Sequence, residues 1–245
     1  MSIIPPKADR TMALDTSKHK NILIKILKDI YTDATISTIL GFKGGTAAAL
    51  FYGLDRFSVD LDFDLFDLEK EGYVFERIKA ILENYGTLKQ ARKKRFSLLY
   101  VLSYDEKDIN AQNVKVEINR REFGSRYAVE SFLGISMQVM VREDMAAHKL
   151  CAMYERIGRT NRDIFDVQFF LSHDWPVNKK ILEDRMGVSY GEFLEKCIDA
   201  VEKFDNRNIL SGMGELLTEK QKAWVKTKLK SEALFSLRLA LEKEK

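Results

Sequence analysis

The chain has 245 residues and a net charge of only +3. That length suits one large domain or two modest ones, and the near-neutral balance excludes a bulk polycation, so any nucleic-acid contact must come from local basic patches. No apolar run reaches membrane-spanning length, no signal-peptide pattern opens the chain, and two cysteines imply buried thiols rather than a disulfide framework; the expectation is a cytoplasmic protein with no membrane association.

In chain order, residues 1–18 read as an extended arm in which Ile3 and Ile4 precede Pro5-Pro6. Lys20 to Thr32 carries Ile22, Leu23, Ile26, Leu27 and Ile30 at helical spacing, which predicts an amphipathic helix. A short apolar run from Thr38 to Phe42 leads into Gly44-Gly45-Thr46. The glycine pair permits a tight turn with uncovered N–H groups. The TAAALFY run that follows is a good helix former, with Thr46 as the expected N-cap. Such a helix start favours an anion, phosphate above all. Next comes VDLDFDLF, in strict alternation. On a strand it places Val59, Leu61, Phe63 and Leu65 on one face, and Ser58, Asp60, Asp62 and Asp64 on the other. Three carboxylates on one face repel each other; they suit a solvated edge, or a divalent cation seated among them.

Leu68 to Tyr85 reads as a helix closed by Gly86. Two strands follow, Thr87 to Gln90 and Phe96 to Tyr104, joined by the basic stretch 91–95; the second is apolar enough to be central in a sheet. Val114 to Asn119 alternates cleanly, with Val114, Val116 and Ile118 turned to the core and Lys115, Glu117 and Asn119 the other way. Arg120, Arg121 and Arg126 are expected on a loop, and Ile135 to Met140 as another short strand. From Val141 onward the pattern is helical: 142–156, 162–172, 178–186, 189–204 and 218–242. A soft boundary near residue 140 therefore divides a sheet-bearing part, 1–140, from a helical part, 141–245.

Several familiar sites are excluded. DLDFD lacks the central glycine and terminal glutamate of an EF-hand. KGGT has neither the spacing nor the ending of a Walker A loop. The aspartate strand also departs from the D-x-D strand of haloacid-dehalogenase phosphatases, which leave the upstream GGT unexplained. His19, His148 and His173 have no zinc-ligand spacing.

The GGT turn, short helix and Asp-x-Asp strand resemble the signature of the polymerase-beta-like nucleotidyltransferase superfamily. The fuller string, KGGTAAALFYGLDRFSVDLDFDL, with Arg56-Phe57-Ser58-Val59-Asp60 as its approach, is similar to the AbiEii/AbiGii toxin family. Asp144 to Lys149-Leu150, Arg156 and then Arg162-Asp163-x-x-Asp166 resemble that family's later motifs. The resemblance implies an α+β polymerase-beta-like nucleotidyltransferase domain with a mixed or antiparallel sheet, followed by a helical half that completes the cleft. It implies Mg²⁺, or Mn²⁺ in its place, held by Asp60, Asp62 and Glu117, the last supplied by the strand VKVEI, with Asp64 as a flanking acid. It further implies an NTP substrate bound by Gly44, Gly45, Thr46, Ser58 and Lys149, with Asp163 and Asp166 orienting Lys149 or the acceptor. By charge alone, Lys149 with the two aspartates could equally be a structural ion pair between helices. The implied reaction moves a nucleoside monophosphate from the NTP to an acceptor, first of all a tRNA end. The implied setting is a bacterial toxin–antitoxin or phage-defence system with a cognate antitoxin. Basic residues near the catalytic half (Arg92, Lys93, Lys94, Arg95 and Arg120, Arg121, Arg126) and on the last helix are candidates for RNA phosphate. A non-catalytic nucleotide- or partner-binding member, and a small-molecule nucleotidyltransferase of antibiotic-modifying type, are the alternatives.

Overall fold

The computed structural model describes residues 16–104 and 113–244; residues 1–15 of the expected arm, with Ile3 and Ile4, lie outside them. Helix α1, Thr16–Thr32, begins ahead of the expected Lys20 and buries Leu23, Ile26, Leu27 and Ile30. Strand β1, Leu40–Lys43, runs directly into helix α2, Gly44–Phe51, and the loop beyond leads to β2, Asp60–Leu65. Helix α3, Glu71–Glu83, follows a 3₁₀ turn at Leu68–Lys70. Strands β3, Thr87–Lys93, β4, Ser97–Ser103, β5, Asn113–Asn119, β6, Tyr127–Phe132, and β7, Ile135–Met140, complete a seven-stranded sheet in the order β3-β4-β5-β2-β1-β7-β6. The sheet is mixed: β2 pairs parallel with β5 and β1 parallel with β7, and the remaining pairs are antiparallel.

The alternation in β2 works as its sequence predicts. Leu61 and Phe63 are fully buried, and their face is covered by α1 and α3. Tyr31 of α1 meets Phe63, and Phe75 of α3 meets Tyr100. The acidic face is left for the helical half, α4, Arg142–Arg156, and α5, Arg162–Ser172, backed by α6, Lys179–Met186, and α7, Tyr190–Lys203. Helix α8, Glu219–Trp224, continues through a π turn at Val225–Leu229 into α9, Lys230–Glu242. Thr218 starts α8 with a capping box to Gln221. Gln221 also donates to the Asp55 carbonyl, and Phe57 N–H donates to the Leu216 carbonyl. The C-terminal segment thus pins the loop that delivers β2. Both cysteines are buried free thiols, and burial pushes Cys151 up to about 11. No helix among the described residues is long and apolar enough to cross a membrane.

Two segments differ from their sequence reading. Ala91, Arg92 and Lys93 belong to β3, paired with Tyr100, Leu99 and Leu98, so the basic connection shrinks to residues 94–96. As an edge strand with an exposed face, β3 tolerates charge there. Strand β6 was not expected at all. It forms a hairpin with β7 through Leu133-Gly134, both at positive φ (51° and 77°), the two-residue geometry that matches strand twist.

Candidate active site

The parallel register of β2 and β5 sets Asp62 beside Glu117 and Asp60 beside Lys115. All four project from the face opposite the core, because Leu61, Phe63, Val116 and Ile118 occupy the other. Glycine is required where the β1–α2 junction meets this face. Gly44 has φ +81°, and a Cβ there would lie 2.5 Å from Asp62 Oδ2. A Cβ on Gly45 would lie 2.7 Å from Arg56 Nη2 and 2.9 Å from Ser58 Oγ. We expect Gly44→Ala to cost on the order of 1–3 kcal/mol in a thermal or denaturant melt, and to displace Asp62. A variant with wild-type stability and activity would show that the close approach is dispensable.

Thr46 does not cap α2. The cap position is Lys43, with no side-chain hydrogen bond, and Thr46 lies within the helix. Its buried hydroxyl donates to the Asp60 carbonyl at 2.5 Å, so it ties helix to strand behind the cleft instead of lining it. The first-turn amides of Gly44 and Gly45 therefore have no capping side chain, and both residues line the cleft together with Ser58.

Asp64 is fully engaged: Lys43 Nζ and Asn119 Nδ2 lie 2.6 Å from its Oδ1, and the Tyr127 hydroxyl donates to Oδ2. It is the carboxylate of this face that neighbouring side chains already occupy. Asp60, Asp62 and Glu117 remain. Burial pushes the Asp62 carboxyl above the usual range, against the pull of Lys115. Burial acts the same way on Glu117, but the Ser97 hydroxyl at 2.7 Å and Lys115 at 3.2 Å outweigh it and hold the carboxyl low. Lys115 Nζ also stands 3.5 Å from Asp60; despite desolvation, the surrounding carboxylates raise its pKa.

Among the described residues no three His, Cys, Asp or Glu side chains converge as a ready-made metal centre. The carboxylates are instead arranged around the Lys115 ammonium, a cation already seated among them. A donor set of carboxylate oxygens, one of them partly buried where desolvation disfavours its charge, fits a hard divalent cation once Lys115 yields its place.

Across the cleft, Lys149 of α4 is 2.6 Å from Asp166 Oδ2 and 3.0 Å from Asp163 Oδ1. Asp166 also receives a bidentate pair from Arg56, 2.5 Å to Nε and 2.7 Å to Nη2, with both side chains essentially unexposed. Asp163 Oδ2 is 2.7 Å from Arg156. Burial alone would raise the Asp166 carboxyl, but Arg56 and Lys149 reverse this and hold it well below the usual range. Lys149 lines the cleft and the two aspartates do not. The ion pair foreseen as the structural alternative is therefore present, and its Lys end faces the cavity. Asp163 and Asp166 hold the Lys149 ammonium and are themselves fully buried.

Sequence reasoning quoted Arg56 only as part of a motif and passed over Lys115 as a site residue. Nothing local marks Arg56 for burial. Lys115, two residues before Glu117, already carried a signal, since period two puts both on one face. His148 also lines the cleft. Its Nδ1 accepts from Arg185 at 3.3 Å, which leaves Nε2–H to donate to Ser125 Oγ at 2.8 Å, and burial lowers its pKa to about 4. The cleft encloses about 580 Å³, and basic side chains outnumber acidic ones in its lining. Lys94, Arg95 and Arg121 are among them. Arg120 instead pairs with Glu71, Arg126 pairs with Asp144, and no lysine of the last helices reaches the cavity.

The sequence profile described as "Nucleotidyl transferase AbiEii toxin, Type IV TA system" matches residues 25–234. No curated protein matches the sequence. Among solved structures, JHP933 from Helicobacter pylori superposes with a TM-score of 0.61 at 23% identity, over 94% of each chain. MenT4, the nucleotidyltransferase toxin Rv2826c of Mycobacterium tuberculosis, gives 0.55 at 17% identity, over 92% of this chain and 85% of its own. An antigenic nucleotidyltransferase-like protein from Paracoccidioides brasiliensis gives 0.51 at 14%, over 80% and 91%. At these identities the likeness is one of fold: an α+β nucleotidyltransferase.

Proposed function

The chain belongs to the AbiEii nucleotidyltransferase toxin family, and on that premise we propose that it transfers a nucleoside monophosphate from an NTP to the end of an RNA, tRNA first, with pyrophosphate as leaving group. The observation that carries this reading is the pairing of Asp62 with Glu117 on the floor of the cleft, the Gly44 amide turn packed against Asp62, and Lys149 aimed from the opposite wall. Asp60, Asp62 and Glu117 are the residues to hold Mg²⁺ or Mn²⁺. Such an ion supplies charge neutralisation to the phosphates and to the attacking and leaving oxygens. The Gly44 and Gly45 amides take β- and γ-phosphate oxygens, Ser58 adds a hydroxyl, and Lys149 contributes a fixed point charge. Glu117, which accepts from the Ser97 hydroxyl at 2.7 Å, either completes the cation site or accepts the proton of the acceptor hydroxyl. The protein's part is positioning and electrostatics, without a covalent intermediate.

The excess of basic side chains in the cleft lining favours a polyanionic acceptor over a cationic small molecule. We read residues 141–245 as the helical domain that completes the cleft, the cytoplasm as the place of action, and a cognate antitoxin as the partner that the family description calls for. The test is transfer from each of four α-³²P-labelled NTPs to total bacterial RNA with Mg²⁺, wild type against Asp60→Ala. Label in a tRNA-sized band with wild type alone is the expected result. Mg²⁺-dependent NTP binding without RNA labelling would move the acceptor to another class of molecule. Absence of NTP binding would remove the catalytic reading.

A further inference from the structure

One wall of the cleft carries side chains that neither cation nor triphosphate binding uses. Phe96 is 47% exposed, yet it lies inside the cleft lining and not on an open surface. Its backbone is fixed: Arg120 N–H donates to the Phe96 carbonyl at 2.9 Å, and Lys94 N–H donates to the Ser97 carbonyl at 2.7 Å. The guanidinium carbons of Arg95 and Arg121 lie 4.8 and 5.4 Å from the Phe96 ring centre. Arg121 continues the row to Phe123 at 5.2 Å, where Arg185 stands 5.4 Å from the same ring. Among the described residues neither Arg95 nor Arg121 pairs with a carboxylate, so their charge is available to a ligand.

The position of this row within the sheet assigns its side of the reaction. Across the sheet the order is β4, β5, β2, β1, which sets out in turn Ser97 next to Phe96, then Glu117, then Asp62, then the Gly44 turn. Strands are about 4.8 Å apart, so the aromatic row lies roughly 14 Å from the phosphate turn across the sheet and is further displaced along β4, where Leu99 and not Ser97 is level with Glu117, with the carboxylates between. The triphosphate end is on the glycine side; Phe96 is on the Glu117 side, where the acceptor hydroxyl must enter. Arg185 is itself held by Glu155 at 2.8 Å, which leaves Arg95 and Arg121 as the guanidinium groups of the row without a carboxylate among the described residues; aromatic faces flanked by such groups are the chemistry that stacks unpaired nucleobases and holds their phosphates.

We propose that Phe96, with Arg121 and Phe123 behind it, is a stacking platform for the terminal unpaired bases of an RNA acceptor. The inference rests on the RNA-acceptor reading and deepens it: the acceptor end is single-stranded, and its bases, as well as its phosphates, are bound. Its test is binding, measured by fluorescence anisotropy, of a short end-labelled single-stranded RNA and of the same RNA with abasic riboses at its last three positions. Wild type, Phe96→Ala and Phe96→Tyr are compared, with NTP affinity measured separately by calorimetry. The expected result is that wild type prefers the base-bearing RNA by about tenfold or more. Phe96→Ala should remove the preference, Phe96→Tyr should restore it, and NTP affinity should stay constant throughout. Phe96 is exposed, so unchanged melting temperatures are expected for both variants. Equal binding of the two RNAs by wild type overturns the platform while leaving the RNA acceptor standing. Loss of NTP affinity in Phe96→Ala with RNA binding intact overturns the acceptor assignment and puts the nucleotide's own base on Phe96. Failure of wild type to bind either RNA removes the acceptor reading and the platform with it.

Discussion

Asp62→Asn is expected to lower nucleotidyl transfer by on the order of three decades while leaving a folded protein. The substitution keeps shape, so the contact with Gly44 survives, and removes only charge. Cation-borne charge stabilisation is worth several kcal/mol, and each 1.4 kcal/mol or so is about a factor of ten in rate. The stability effect has the opposite sign. Burial raises the Asp62 carboxyl above its ordinary value, so the folded state holds its proton more tightly than the unfolded chain does. That contribution is fully present below the unfolded carboxylate pKa and is lost as pH rises through the folded one. Without a divalent ion, the wild type therefore bears an electrostatic cost at Asp62 as pH rises that the asparagine lacks. We expect Asp62→Asn to melt at or above the wild-type temperature in metal-free buffer. Added Mg²⁺ should raise the wild-type melting temperature and leave the variant's unchanged. Single-turnover transfer and paired melts check both halves; transfer within tenfold of wild type would sink the assignment of Asp62.

Arg56→Met should have the largest effect on stability. Arg56 and Asp166 form a bidentate pair between the loop before β2 and helix α5, with essentially no solvent contact. Removing one partner of a buried pair costs about 3–5 kcal/mol, because the other charge stays buried. In a chain of this size that is a fall in melting temperature on the order of 10 °C. Activity should fall as well. Asp166 deprived of Arg56 draws Lys149 inward, and the same guanidinium packs over Gly45. The double variant Arg56→Met/Asp166→Leu removes both charges and should recover most of the stability without the activity. The pH dependence has a definite direction. Asp166 is held below the usual carboxylate range, so its stabilisation is present above the unfolded pKa and is lost as pH falls through the folded one. Acid melts of Asp166→Asn should lack that component. An Arg56→Met protein as stable as wild type would show that the pair contributes nothing net.

Much of this site can be read from local pattern. Strict alternation put Asp60, Asp62 and Asp64 on the face opposite Leu61 and Phe63, and Glu117 opposite Val116 and Ile118, because side-chain direction along a strand depends only on parity. Gly44-Gly45 announced a turn whose need is local backbone freedom and close approach. The helices from Arg142 onward followed their apolar spacing to within a residue or two. Where local preference met long-range contact, the contact decided. Thr46, a good cap by residue type, became a helix-interior donor to the Asp60 carbonyl because α2 packs on β2. The basic stretch 91–93 became strand because β4 offered it a ladder. Strand β6 escaped notice, although Gly134 between two alternating runs is a hairpin signal.

What the sequence by itself determined is the chemistry on offer: an acidic strand face, a glycine turn at a helix start, a lysine and an Arg-Asp-x-x-Asp pair on helices. The tertiary structure alone decided which of those groups meet and which only support. It set Asp62 beside Glu117, seated Lys115 among the carboxylates, turned Asp163 and Asp166 away from the cleft to hold Lys149, and buried Arg56 against Asp166 across 110 residues of chain. The reason is physical: a side chain's direction along its own element is set by backbone geometry, but its electrostatic partner is set by packing between elements distant in sequence.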